Sequence, residues 1–368
     1  MNRILTLSLG AVLFALAACA PAPGSTPRAA DAAPLTMRFD YAGTKALLDA
    51  LERDSLTDAD VDALLRVHGV RAMVDNVARF IPNVGAPQFR SDVRTFARTR
   101  RGDANDRYFG LAWAWGERER IRALVNALRG DEPRILRESL SQLEPYRPDT
   151  GPMTIGVYLV TGGVSRGFAF ENDSRSFYAN LLGAEGDYNG VVLNAVHEAY
   201  HVLQMAAQQR SGTFVAWITD DAAPPVQRLL MGTLVEGTAN FVADPTRSTA
   251  PGAEMDSARA RYGRNASPAQ IAANFALFDR TLAGLRDGSM TWRAANDEGF
   301  SGDNPEFYFV GYEMAKALDR HCGARCIGVL FDEPPVEFFR RYVALYRRHP
   351  EITARFSRET EEHIASLR

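Results

Sequence analysis

The stretch HEAYH, residues 197–201, lies within a segment that has the apolar spacing of a buried helix, predicted over 191–209. Residues four apart on a helix are turned by about 40° from one another and lie about 6 Å apart along the axis. His197 and His201 can therefore reach one zinc ion from the same face. Glu198 is turned by about 100° from His197, so it points beside the ion. The stretch predicts a metal site on this helix.

Apolar side chains surround this stretch on nearly every side of the predicted helix, which indicates that the helix is buried. Burying two imidazoles and a carboxylate without partners costs several kcal/mol, and a bound metal removes that cost. Exposed histidines on an amphipathic helix are the alternative, and they fit the apolar pattern poorly. In a zinc site, Glu198 can accept a proton from a water molecule whose pKa the metal lowers to about 7.

A third protein ligand is expected, because catalytic zinc keeps three protein ligands and one open position. Glu236 lies in the segment LVEGTAN, residues 234–240, within an apolar helix that is predicted over 226–243. Its carboxylate needs a partner there. This E-G-x-A pattern after H-E-x-x-H resembles the gluzincin metallopeptidases. The resemblance implies that His197, His201 and Glu236 bind zinc and that Glu198 is the general base.

The same resemblance implies roles for two further residues. Asn240 lies one helical turn after Glu236, where some gluzincins carry an aspartate that hydrogen-bonds a ligand imidazole; asparagine can accept that bond but adds no charge. Tyr308 opens a helix predicted over 306–320 with the Y-x-x-G spacing of aminopeptidase-N-like gluzincins, and by resemblance it donates a hydrogen bond to the oxyanion. A core aromatic at a helix start is the alternative for Tyr308, and Tyr312 is the reserve candidate.

The segment GFAFEN, residues 167–172, is similar to the G-A-M-E-N strand of that family, with one extra residue. The resemblance implies that Glu171 binds the free N-terminus of a peptide. The 35 residues from His201 to Glu236 exceed the gap in aminopeptidase-N-like and thermolysin-like gluzincins. This difference argues against membership of those two families in the narrow sense and against exopeptidase action. The wider gluzincin assignment stands. The extra segment, 211–223, is either a loop that lines a cleft or a surface excursion.

The N-terminal residues are typical of a bacterial lipoprotein. A positive n-region ending at Arg3 precedes 14 apolar residues, 4–17, which are too few for a membrane-spanning helix of about 20 residues. The following LAAC resembles a lipobox, which implies cleavage before Cys19, acylation of its thiol and stable anchoring. Ala20, and not an aspartate, follows the cysteine, which in Gram-negative lipoproteins favours transport to the outer membrane. We therefore expect a bacterial cell-envelope protein that is lipid-anchored at Cys19 and faces the periplasm; an ordinary signal peptide is the alternative.

The fold class predicted from these patterns is α+β, mainly α. A zincin-like core combines a small sheet, with strands over 154–160 and 167–170, the HExxH helix and the glutamate-ligand helix, beside an N-terminal helical part and a C-terminal helical lobe. The predicted parts are a signal peptide (1–18), a lipidated tether (19–36), an N-terminal helical subdomain (37–150) and a metallopeptidase domain (151–368). The net charge of −3 is too mild to indicate a nucleic-acid partner.

Cys322 and Cys326 remain once Cys19 is acylated. A nearby pair in an oxidising compartment is typical of a disulfide, and a second metal site with His321 is the alternative.

Two functions agree with these residues. The resemblance implies a zinc-dependent peptide hydrolase of the cell envelope that acts on a peptide or protein substrate. The alternative is a non-catalytic binding or assembly lipoprotein with a zincin scaffold, suggested by the unusual ligand spacing and by Asn240. Retention of Glu198 favours the hydrolase, because a protein without turnover has no use for a general base.

Overall fold

The structure is a computed structural model that describes residues 34–102, 106–170, 173–218 and 222–367. Within these residues four strands form one mixed sheet in the order β1-β2-β4-β3. The strands are β1 Leu35–Asp40, β2 Met153–Val160, β3 Gly167–Phe170 and β4 Asp173–Asn180. Strands β1, β2 and β4 are parallel, and β3 runs antiparallel to β4 at one edge. The predicted strands at 154–160 and 167–170 are confirmed, whereas the sequence analysis missed β1 and β4.

Helices make up most of the remaining chain. Those before the sheet's second strand are α1 Ala42–Leu51, α2 Asp58–Leu65, α3 His68–Phe80, α4 Ala86–Thr99, α5 Asp106–Phe109, α6 Leu111–Gly116 and α7 Arg118–Leu143. Those after the sheet are α8 Tyr188–Ser211, α9 Pro225–Val242, α10 Ala253–Asn265, α11 Pro268–Asp287, α12 Trp292–Gly299, α13 Glu306–Cys322, α14 Arg325–Gly328, α15 Val336–Arg348 and α16 Arg358–Ser366. The mainly helical α+β class with a small sheet is as predicted.

Strand β1, at the start of the described residues, is an edge strand of the sheet. Its alternating side chains Leu35, Met37 and Phe39 are buried. Its backbone pairs with β2, with Leu35 opposite Met153 at one end and Asp40 opposite Tyr158 at the other. Two residues of the predicted tether, 35 and 36, therefore belong to the sheet. Residues from Pro34 onward form one compact unit. The predicted division of that unit at residue 150 stays a prediction.

Helix α7 runs through two residue types that usually end a helix. It continues to Leu143 through Gly130 and Pro133. Glycine costs about 1 kcal/mol and proline about 3 kcal/mol inside a helix. Buried side chains recur along α7 at helical spacing, and their burial outweighs these local costs. The buried set comprises Ile121, Leu124, Leu128, Ile135, Ser139 and Leu143.

Helix α8 lies against the sheet and also contacts α7, α9 and α10. Its first turn is capped by Asp187, whose carboxylate accepts a hydrogen bond from the Gly190 amide at 2.9 Å, and it ends at Gly212 with φ 75°. Helices α9 and α13 pack together closely, and α9 also packs against α8. Among the described residues, no helix is both long and apolar enough to span a bilayer.

Candidate metal centre

Helix α8 brings His197 and His201 to one spot, as their spacing predicts. Their ring centroids are 4.6 Å apart, and the two Nε2 atoms lie 3.0 Å from each other. Both side chains are about one-fifth exposed, so each ring is mostly buried but reaches a cleft. The predicted histidine pair is therefore preorganised on one helix face.

Helix α9 supplies the third group. Oε2 of Glu236 lies 3.5 Å from Nε2 of His197 and 3.4 Å from Nε2 of His201. Glu236 is buried in a helix whose neighbouring side chains are almost all apolar. A carboxylate in such surroundings needs a charged or hydrogen-bonding partner, and the imidazoles are that partner.

The spacing of these three atoms fits a metal ion. A tetrahedral site with metal–ligand distances of about 2.0–2.1 Å separates its ligand atoms by roughly 3.3 Å. The observed separations of 3.0, 3.4 and 3.5 Å lie around that value. Two imidazole nitrogens and one carboxylate oxygen are also a ligand set that zinc accepts. His197, His201 and Glu236 could therefore hold one zinc ion without rearrangement.

A cleft crosses this group and has two lobes, each of which contacts His197, Glu198 and Tyr308. The polar lobe, about 340 Å³, is lined by Arg166, Asn194, Asn240, Glu254, Arg261 and Tyr262 among others. The apolar lobe, about 350 Å³, is lined by Phe80, Phe168, Phe214, Val215, Trp217 and Ile218 among others. The described part of the long segment between His201 and Glu236 thus lines the cleft, which was one of its two predicted alternatives.

Glu198 lies where the two lobes meet, against strand β3. A Cβ atom added to Gly167 would come within 2.8 Å of the Glu198 Oε1 atom and 3.3 Å of the Asn194 Nδ2 atom. The absence of a side chain at Gly167 therefore leaves the space that the carboxylate occupies. Glu198 is beside the metal group rather than part of it, as its helical angle predicts.

Tyr308 is brought to the site by a close crossing of α9 and α13. A Cβ on Gly237 would lie 2.2 Å from Gly311 Cα, and a Cβ on Gly311 would lie 2.1 Å from the Thr233 carbonyl oxygen. Only glycines permit this approach, which places Glu236 and Tyr308 side by side. Burial and then the Glu236 carboxylate raise the pKa of Tyr308 well above its ordinary value. The phenol therefore keeps its proton and remains a donor.

The site geometry agrees with one family comparison. A profile of the family described as "Putative zinc dependent peptidase (DUF5700)" matches residues 61–351, which is more than half of the chain. The chain belongs to this family. The match includes the whole metal group, Glu198 and Tyr308. Neither a curated protein nor a solved structure matches the chain.

Zinc, the predicted cofactor, is confirmed for this family member. The family is zinc-dependent, and the structure places His197, His201 and Glu236 where they could hold a metal ion. The three groups interact electrostatically with one another. Burial lowers the pKa of His201, but the Glu236 carboxylate outweighs burial and the pKa rises to about 9. Burial raises the pKa of Glu236, and the two imidazoles hold it well below its usual range.

This coupling predicts that zinc binding releases a proton. With a pKa of about 9, the His201 imidazole is protonated at neutral pH in the metal-free protein, and zinc needs the neutral form. The apparent zinc affinity should therefore rise about tenfold per pH unit between pH 7 and 9 and then level off. Calorimetric titration in buffers of different ionisation enthalpy measures the proton count, and an affinity that is flat from pH 7 to 9 would contradict the coupling.

Gln204, which the sequence analysis missed, orients His201. Its Oε1 atom accepts a hydrogen bond from Nδ1 of His201 at 2.7 Å, which leaves Nε2 for the metal. The Gln204 amide in turn donates to the Val235 carbonyl at 2.9 Å and to the Thr238 hydroxyl at 2.8 Å, both on α9. Asn240, predicted for such a role, lines the polar lobe; among the described residues no hydrogen bond joins its side chain to an imidazole. Its role stays a prediction.

Replacing Gln204 should weaken zinc binding more than folding. In Gln204→Met the side-chain volume is similar, but the imidazole of His201 loses the acceptor that fixes its orientation. We expect zinc affinity to fall about 10- to 100-fold. Gln208→Met is the matched control, because Gln208 is also buried on α8 and donates to the Met231 sulfur instead of contacting a histidine. Competition with a chelator measures both affinities; equal losses in the two variants would reject the orienting role.

Gly167→Ala should lower activity without unfolding the protein. The added methyl group meets the end of the Glu198 side chain, which can move aside, so the free energy of unfolding should change by less than about 1 kcal/mol. A displaced carboxylate should lower kcat by about 10- to 100-fold, since a misplacement of about 1 Å has effects of that size. Zinc content and thermal unfolding are measured alongside kcat. Unchanged kcat would mean that Glu198 does not act from this position.

The other predicted residues are placed as follows. Tyr312 donates to the Asp244 carboxylate at 2.8 Å and does not line either lobe. This geometry does not favour Tyr312 as the reserve donor to the oxyanion. Glu171 and Cys19 lie outside the described residues.

A disulfide joins Cys322 to Cys326, with the Cα atoms 5.9 Å apart. The alternative of a metal site with these thiolates is thereby removed. His321 instead lies beside His349, with ring centroids 4.1 Å apart, and Glu351 is 3.2 Å from the His349 Nδ1 atom. These three could also hold a metal at the surface, so zinc counts need a control for this group.

Proposed function

We propose that the protein is a zinc-dependent peptide hydrolase of the gluzincin type in which His197, His201 and Glu236 bind the metal. The convergence of their three ligand atoms at the junction of two open lobes carries this proposal. A structural zinc would need a fourth protein ligand. No fourth His, Cys, Asp or Glu from the described part of the chain joins this group. A zinc ion held by these three residues would therefore keep one coordination position open for the reaction.

The residues around the metal group have distinct tasks in this proposal. Bound zinc supplies Lewis acidity, which polarises a carbonyl and lowers the pKa of water to about 7. Glu198 accepts a proton from the attacking water and passes it to the leaving amine. Tyr308, which keeps its proton, donates a hydrogen bond to the oxyanion that forms on the scissile carbonyl. A peptide or protein is the substrate class that the family's description supports.

Zinc content and cleavage of a mixed peptide library test the proposal with three full-length proteins. The wild type should bind zinc and cut peptides, and His201→Ala should lose both properties. His349→Ala, which disrupts only the surface group, should keep both. A wild-type protein that binds no zinc would refute the proposal. Zinc binding without any cleavage would instead favour the binding or assembly role.

We also propose that the protein is a lipoprotein of the bacterial cell envelope, anchored at Cys19. The positive n-region, the short apolar stretch and the lipobox-like LAAC support this location. Metabolic labelling with a palmitate analogue, followed by membrane fractionation, compares the wild type with Cys19→Ser. Label in the membrane fraction of the wild type only is the expected result. Equal labelling of the two proteins would rule out the anchor.

A further inference from the structure

The two lobes of the cleft differ in chemistry, and this difference bears on the substrate. Five large hydrophobic side chains among the described residues are strongly exposed, and two of them, Phe80 at 49% and Ile218 at 54%, line the apolar lobe. Exposed hydrophobic side chains that converge on one concave surface beside a reactive centre are typical of a binding site. The apolar lobe is therefore suited to hold an apolar side chain.

The wall of the apolar lobe is firmly anchored. The buried guanidinium of Arg228 donates to the carbonyl oxygens of Trp217 at 2.7 Å and Ile218 at 2.8 Å. The Trp217 ring packs against the Phe300 ring, with centroids 4.7 Å apart. The lobe is thus preformed, so little ordering is needed when a ligand binds.

The polar lobe contains two arginines in different states. Arg166 is paired with the carboxylate of Glu254. For Arg261, the described part of the chain offers no ion pair and no hydrogen bond to its guanidinium, although its charge acts on the Tyr308 phenol. A partly buried guanidinium without a partner in a reactive cleft is available to an anion from the ligand.

The helix that carries Arg261 is attached to the rest of the site by two hydrogen bonds. The amide of Glu254, in the first turn of α10, donates to the Asp187 carboxylate at 2.7 Å, which joins α10 to the start of α8. The hydroxyl of Tyr262 donates to the Asn240 carbonyl at 2.8 Å, which joins α10 to α9. The backbone at Arg261, adjacent to Tyr262, is therefore fixed relative to both helices that carry the metal group.

We propose that the substrate lies across the metal group with an apolar side chain in the apolar lobe and a carboxylate at Arg261. This inference rests on the proposed function as a peptide hydrolase and specifies its substrate class. Guanidinium and carboxylate form paired hydrogen bonds, and the two anchors together orient the peptide bond between them. The carboxylate is either a free C-terminus or an Asp or Glu side chain. A free C-terminus would place the leaving part of the peptide in the polar lobe.

Binding to zinc-loaded, full-length Glu198→Gln protein tests the carboxylate anchor without turnover. The probes are N-terminally labelled pentapeptides with a central Phe: one with a C-terminal carboxylate, one with a C-terminal amide, and one amide with an Asp near its end. Fluorescence anisotropy should show at least one carboxylate peptide binding about tenfold or more tightly than the uncharged amide. Which of the two carboxylate peptides gains affinity identifies the source of the anion.

The same titrations in further variants show whether Arg261 is responsible. Arg261→Gln should remove the preference for the carboxylate, and Arg261→Lys should keep part of it. Arg264→Gln is the matched control, because Arg264 is an exposed arginine on the same helix, and the full preference should persist. A preference that survives Arg261→Gln, or no preference in the starting protein, would overturn the proposal.

The apolar lobe is tested by changing the peptide and the wall together. Replacing the central Phe of the peptide by Ser should weaken binding about tenfold, and Ile218→Asp should shrink that difference. Cleavage of all three peptides, with and without a carboxylate, by the wild type is scored separately. Arg261-dependent binding without any cleavage would refute the hydrolase and leave this proposal standing. Cleavage with no preference for a carboxylate would refute this proposal and leave the hydrolase standing.

Discussion

Glu198→Gln should bind zinc as the wild type does and lose peptide cleavage by at least about 100-fold, up to 10⁴-fold. The amide has nearly the same shape as the carboxylate, so the space above Gly167 stays filled. It cannot accept a proton from water at neutral pH, so the step that generates the nucleophile loses its base. Because Glu198 lies beside the ligand group and not within it, the metal should remain.

The measurement is kcat/KM on a cleaved library peptide, with zinc content determined on the same sample. Glu138→Gln is the matched control, since it makes the same chemical change on the exposed face of α7, where Glu138 pairs with Arg134. Cleavage that persists in Glu198→Gln would exclude Glu198 as the base. Loss of zinc together with activity would mean that the carboxylate helps to hold the metal.

Gly311→Ala should lower the free energy of unfolding by at least about 3 kcal/mol, which is at the upper end for overpacking. The added methyl group would lie 2.1 Å from the Thr233 carbonyl oxygen and 2.7 Å from Gly237 Cα. Both neighbours are backbone atoms of α9, so no side-chain rotation can relieve the contact. The helices must separate, and this would also move Glu236 away from Tyr308.

Thermal unfolding measures this effect, and a decrease in Tm of more than about 5 °C is expected. Gly130→Ala is the control, because a Cβ at this position of α7 meets no atom within 4 Å. That control should be neutral or stabilising by up to about 1 kcal/mol, as alanine is the better helix former. If the two variants unfold at the same temperature, the close crossing of α9 and α13 is not as described.

The metal group could be predicted from the sequence because its signals lie within short stretches of the chain. His197 and His201 share a helix face by spacing alone. Glu236 needed a partner because it stands alone in an apolar helix, and the resemblance to gluzincins named that partner. Gln204 escaped notice because its task depends on the tertiary contact with Thr238 of another helix. A glutamine on a buried helix face is nevertheless a signal that a partner must exist.

The sheet and the cleft were harder to predict from the sequence. Strand β1 carries the alternation of a half-buried strand, but it follows directly on a low-complexity stretch. Strand β4 begins with polar residues and is recognisable mainly by its pairing with β2. Arg261 lies on a helix that no motif marks, and its importance comes from the attachment of α10 to α8 and α9. Such contacts join distant parts of the chain, which spacing patterns do not encode.

The way Arg228 holds the segment at Trp217 and Ile218 has a consequence for how the specificity of this cleft can change. Its guanidinium grips main-chain carbonyl oxygens, which every amino acid provides. The half-exposed side chain of Ile218 can therefore be exchanged while the backbone that presents it stays fixed. Selection or laboratory evolution can thus alter the substrate preference of the cleft by substitutions on this rim, without changing the residues of the metal group.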